Sequence, residues 1–207
     1  MTSRMFVEKL ISISSMPISN LTPDLDGSNP ELHALLMLKN GFFCFEGALQ
    51  VFSTDCRARQ ICLRDWNSSN LWRNAYGDMN DFDVLFFAQD IFGYQFGLKD
   101  RAIVQFDPET GLCKTLDDSM ENWAQRVLRD FRVLTGFPIA HEWQVLNGSI
   151  APNCRLNPSI PFVLGGAYTI DNLFAANMID GMLARADIAH QIRRLPDGTK
   201  VEFIVDK

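Results

Sequence analysis

Apolar positions along this chain recur at two different spacings, and the changes from one to the other mark its elements. Leu32, Leu35, Leu36 and Met37 line up at helical spacing behind Asn29 and Pro30, a cap and a first-turn proline, before Asn40-Gly41 supplies a left-handed stop. Residues 42–52 read as two strands pinched at Glu46-Gly47, although the run FFCF cannot be oriented by periodicity alone. Residues 84–88, 94–98, 102–106 and 112–116 follow as strands separated by turn chemistry, clearest in Asp107-Pro108-Glu109-Thr110-Gly111. Strands joined in this way form an antiparallel meander.

Helical spacing returns after Asp118-Ser-Met-Glu121, which resembles a capping box. Met120, Trp123, Ala124, Val127, Leu128 and Phe131 form one stripe, while Arg126, Arg129 and Arg132 lie on the other side as a solvated face. Gly136 and Pro138 are expected to end that helix. From about His141 the character changes: a turn-rich connection through Pro152, Pro158 and Pro161, a strand at 162–164 broken by Gly165-Gly166, a helix capped by Asn177 and running to about Arg194, and a final strand at 201–205. The expected fold is therefore α+β, an antiparallel sheet flanked by helices, with residues 1–138 as the main domain. Residues 139–207 form a β-α-β extension packed on the same globule.

Composition narrows the setting. With 47% hydrophobic and 21% charged residues among 207, the chain is an ordinary globular one, and 16 Phe predict an aromatic-rich core. No stretch approaches the roughly 20 apolar residues that span a bilayer, and the start is too short in apolar residues for a secretory signal, so a cytoplasmic address without membrane contact is expected. Five cysteines at irregular spacing argue against a disulfide framework. The net charge of −6 is concentrated between Asp78 and Glu121, where ten acids face three bases. Such a field attracts a basic partner or metal ions and repels phosphate backbones, which disfavours nucleic acid.

Chemistry is harder to find. His33, His141 and His190 belong to no local nucleophile motif, and helix-surface roles are their default. Cys56 and Cys62 lack metal-ligand spacing, and no second Cys/His pair completes a tetrahedral set. Gly165-Gly166 lacks the lysine and third glycine of a nucleotide loop. Asp81 with Asp83, or Asp90, could serve as acid and base, but nothing isolates one of them in an apolar pocket. No catalytic residue, metal or cofactor is expected.

The order of these segments is more informative than any one of them: LKNGFFCFEGALQVF, then LWRNAYG, then VLFFAQDIFGYQFGLKDRAIVQFDPETG, then LDDSMENWAQRVLRDF. Over roughly residues 28–135 this resembles the SUKH superfamily, which includes immunity proteins of bacterial polymorphic and contact-dependent toxin systems and regulators of fungal cell-wall synthesis. The resemblance implies an α+β fold, no catalytic activity and a groove that holds partner proteins. It implies, for this chain, an immunity protein that binds and neutralises a cognate toxin, and the acidic middle suggests a basic, nuclease-like toxin domain. The alternative is a regulatory or scaffolding domain without a toxin. The resemblance transfers no named contacts. Displayed aromatic rings anchor interfaces and charges tune them, which nominates Trp66, Trp72, Tyr76 and Tyr94 with Asp81, Asp83 and Asp90 as the partner-binding set.

Overall fold

A computed structural model describes residues 4–199 apart from Asp26, Ser28 and Asp197. Six strands form one antiparallel meander in chain order: β1 (Phe42–Cys44), β2 (Leu49–Val51), β3 (Leu85–Asp90), β4 (Gln95–Lys99), β5 (Ala102–Phe106) and β6 (Cys113–Asp117). Cross-strand partners run Phe42 to Val51, Val51 to Ala88, Ala88 to Phe96, Phe96 to Gln105 and Gln105 to Lys114. The β1–β2 connection holds Phe45, Glu46 and Gly47 at φ of 52°, 54° and 88°, so the pinch expected at Glu46-Gly47 is a left-handed turn.

The central strands are covered on both faces, which is why FFCF and VLFFAQD read as apolar runs and not as clean alternation. Successive side chains point to opposite sides. Phe87, together with Phe96 from β4, meets Trp123 edge-on, at centroid distances of 5.0 and 5.8 Å. Phe86 instead meets Trp72 at 5.6 Å and Phe106 at 5.6 Å. Gly97 is required beneath these rings, because a Cβ there would lie 2.3 Å from Val84 Cγ1 and 2.9 Å from Phe86.

Helices close the first face. In α4 (Met120–Leu134), Ser119 is the cap and accepts from Asn122 N; Glu121, expected to complete the box, instead accepts from Phe6 N at 2.6 Å and Val7 N at 3.2 Å. It thereby satisfies the first turn of α1 (Met5–Ser12). Glu31 of α2 (Pro30–Leu38) does the same for Met120 N at 2.6 Å. Three helix starts are thus tied together by carboxylates.

Three expectations need correction. Residues 162–164 form a single 3-10 turn, because Pro161 precedes them and Gly165 turns left-handed immediately after. Gly136 and Pro138 do end α4, but they also start α5 (Phe137–Asn147), with the proline in its first turn where a missing N–H costs nothing. The strands of the C-terminal part are β7 (Cys154–Pro158) and β8 (Leu173–Asn177), an antiparallel pair followed by α6 (Met178–Ile192), capped as expected by Asn177. The strand expected at 201–205 lies outside the described residues. Met178, Met182, Ala186 and Ala189 of α6 belong to the same core as the meander, while Ala48, Ile91 and Phe92 join a second cluster with Ala140, Leu156 and Leu173. Both clusters draw residues from each side of position 138.

Candidate partner-binding surface

The rings nominated as anchors are interior. Trp66, Trp72 and Tyr76 are 0%, 1% and 0% exposed, which removes them as contact residues. The loop that carries them includes α3 (Leu63–Trp66) and a 3-10 segment, and it folds back over the sheet. Each polar tip finds a partner inside: Trp66 Nε1 donates to Gln95 Oε1 at 2.8 Å, Trp72 Nε1 to Trp66 O at 2.9 Å, and Tyr76 Oη to Pro108 O at 2.8 Å. Buried rings with satisfied tips are core, and Trp66, Trp72, Tyr76 and Phe106 meet in one continuous series of tilted and edge-on contacts.

Asp90 is also interior, 3% exposed, and this corrects its nomination. Its Oδ1 accepts from Phe92 N at 2.9 Å and Tyr94 N at 2.8 Å, which shapes the β3–β4 turn. Burial pushes the carboxyl up to about 8, against the pull of those two N–H groups and of Arg185 and Arg155. Tyr94 is partly buried, and burial raises its hydroxyl too, with the nearby Asp107 charge adding to the effect. These residues border a polar seam. Gln50, Gln89 and Gln95 sit opposite one another in the register of β2, β3 and β4, and Gln89 Nε2 donates to Gln50 Oε1 at 3.0 Å while Gln95 Nε2 donates to Gln89 Oε1 at 3.2 Å. Arg155 from β7 donates to Gln50 Oε1, and Arg185 from α6 donates to Phe92 O and to Asn157 Oδ1.

Of the nominated set, Asp83 is exposed and Asp81 partly so, and they flank a residue that sequence reasoning missed. Phe82 is 52% exposed, yet it is not loose. The buried Arg73 guanidinium lies 5.1 Å from its ring centroid and 5.1 Å from that of Phe86, and donates to Asp81 O at 2.7 Å and Asn80 Oδ1 at 3.3 Å. Asp81 binds Lys99 and accepts from Asp83 N at 3.1 Å. The Lys99 ammonium holds the Asp81 carboxyl below its usual range, and Asp81, Asp100 and Asp83 together raise Lys99. The result is a displayed ring, backed by a cation, between carboxylates that outnumber the lysine among them. Its signal in the sequence was the DFD triplet in a turn, an aromatic residue where turn chemistry favours polar ones.

Two other clusters bear on chemistry. An open groove of about 640 Å³ runs between the β1–β2 turn, α5 and residues 149–153. In it His141 Nδ1 lies 2.8 Å from Glu46 Oε2, both half exposed. A carboxylate-oriented imidazole can act as a base, but among the described residues no hydroxyl or thiol hydrogen-bonds to His141. Cys56, Cys62 and Asp65 present ligand atoms within 4.8 Å of one another, yet the two sulfurs are joined as a disulfide, Cα to Cα 4.9 Å. This pairing corrects the expectation of unpaired cysteines: the loop between them doubles back, which spacing alone does not reveal.

No family model matches the chain, and no curated protein matches it. Among solved structures, the crystal structure of Atu4351 from Agrobacterium tumefaciens is similar at TM-score 0.53 and 13% identity, over 86% of this chain and 87% of that one. The likeness extends over the meander and the C-terminal part alike, and it shows a shared α+β fold. Among the described residues no helix is long and apolar enough to cross a membrane.

Proposed function

We propose that this chain is a non-catalytic immunity protein that binds a cognate bacterial toxin domain and blocks its active site or its access to substrate. The observation that carries the binding reading is Phe82, held on Arg73 and half exposed between Asp81 and Asp83. A ring whose rotamer is fixed before contact loses little freedom on binding, and flanking charges steer a basic partner toward it. The toxin reading itself draws on the resemblance of the meander segments to SUKH immunity proteins. A basic, nuclease-like toxin suits the negative middle of the chain. The proposal places the protein in the cytoplasm, where thiols are kept reduced, so the fold has to stand without the Cys56–Cys62 bond.

The test is co-expression with the toxin domain encoded beside this gene. Growth is rescued and the two proteins co-elute on gel filtration, while the pair of changes Phe82→Ala and Asp83→Lys abolishes both without unfolding the chain. Continued killing with no complex overturns the proposal. A partner that is captured but harms no cell when expressed alone would favour the regulatory alternative.

A further inference from the structure

A second concavity, of about 460 Å³, lies between the β7–β8 pair and α6. Its walls are apolar: Phe174, 47% exposed, with Ala176, Ala184 and Ile188. Its floor is polar, formed by Glu109, Asn157, Gly181 and Arg185, and Asn157 approaches α6 so closely that a Cβ at Gly181 would lie 2.3 Å from its Oδ1. β8 also runs along the outer edge of its sheet with Phe174 and Ala175 exposed, an apolar edge of the kind that proteins normally cover or charge.

The floor groups are unequal in what they still need. Arg185 is committed, with Nε on Gly181 O at 2.9 Å, Nη1 on Phe92 O and Nη2 on Asn157 Oδ1 at 2.8 Å. Asn157 donates to Arg155 O at 3.1 Å. Glu109 is 2% exposed; its Oε2 accepts from Val163 N at 2.7 Å, but its Oε1 has no hydrogen-bond partner among the described residues. A buried carboxylate oxygen is costly to leave unpaired. The groove thus ends in an acceptor that lacks a donor, and Asp180 at its exposed rim adds a second negative charge. Arg185 spends three of its N–H groups inside the protein, and the two acids of the lining outnumber this one base, so the groove favours a cation over an anion.

We propose that this groove receives a basic side chain of a partner protein, its methylenes against Phe174, Ala176 and Ile188 and its head-group N–H on Glu109 Oε1. Long basic side chains combine an apolar stem with a charged donor in this order, and a charge-assisted bond to a carboxylate is among the strong ones. The inference deepens the partner-binding reading by adding a second contact, separate from the Phe82 ridge, that selects for lysine or arginine.

The test needs no partner. The full chain is titrated with n-butylguanidinium, and separately with n-butanol, while amide resonances are followed by NMR. Saturable shifts at Val163, Gly181, Ala184 and Ile188 are expected for the guanidinium, at least tenfold tighter than for the alcohol. Glu109→Gln, which keeps an acceptor for Val163 N, weakens the guanidinium at least fivefold, and Asp180→Asn, on the exposed rim, weakens it about twofold and serves where the first variant does not fold. Equal binding of the alcohol, indifference to both substitutions, or shifts confined to Asp83 and its neighbours overturns the proposal. Failure of toxin rescue alongside intact guanidinium binding would remove the immunity reading and leave the groove standing.

Discussion

The ridge at Asp81, Phe82 and Asp83 and the seam around Asp90 are drawn from one short segment and the same residue types, yet they do opposite work. On the ridge, carboxylates stand in water around Lys99 and Arg73 props a ring outward. In the seam, a carboxyl, two arginines and a row of glutamines are sealed between the meander and the C-terminal part, with every polar contact internal. Position in the sheet decides between them: Asp83 precedes β3, whereas Asp90 ends it beneath β7 and α6. Charge in a sequence therefore specifies a partner only after the fold has assigned it a side.

The comparison can be broken most sharply through pH. Asp90 keeps its proton in the folded chain well above the 3.8 of the free group, so its contribution to stability is complete below that value and is lost as pH rises toward about 8. Relative to Asp90→Asn, the wild-type chain is expected to lose stability across that window with a slope approaching about 1.4 kcal/mol per pH unit, read from urea midpoints. Parallel pH profiles for the two proteins would show that Asp90 is not sealed.

Next in size is Arg185→Ala, which strips Asn157 and Phe92 O of their donor and is expected to cost about 3–5 kcal/mol in denaturant unfolding. Cys56→Ser opens a small loop and costs about 2 kcal/mol, leaving a folded protein by circular dichroism. Smallest in stability is Asp83→Lys, within about 0.5 kcal/mol, but it reverses a charge on the ridge and is expected to slow association with a basic partner by surface plasmon resonance. If Asp83→Lys destabilised the chain as much as Arg185→Ala, the division between ridge and seam would fail.

The meander was legible because each strand is bounded by Gly, Pro, Asp or Asn and most connections are short; residues 102–106 agree with β5 to the residue. The two α6 signals, an Asn cap and a helical apolar spacing, were equally local. What escaped depended on contacts distant in the chain. CRLNP and LFAAN carry little strand pattern, because Arg155 and Asn157 point into the seam and Phe174 and Ala175 face outward. Aromatic density showed that large rings were present but not that Trp66 and Trp72 would find Gln95 Oε1 and Trp66 O beneath a returning loop. Phe82 was passed over because its exposure comes from Arg73, nine positions earlier, occupying the space beneath it.

The plain connectivity of the sheet has a further consequence, for the order in which the molecule is made. Every strand of the meander pairs with its immediate neighbour in the chain, so each step except β2 to β3, which spans residues 52–84, closes a small loop and loses little entropy. During synthesis the sheet and α4 can assemble before the ribosome has delivered Arg155 or Arg185, and the glutamine row waits open until they arrive. A chain truncated after Thr135 and released from the ribosome is expected to resist protease across the sheet, and the closing arginines then act as a latch fastened last.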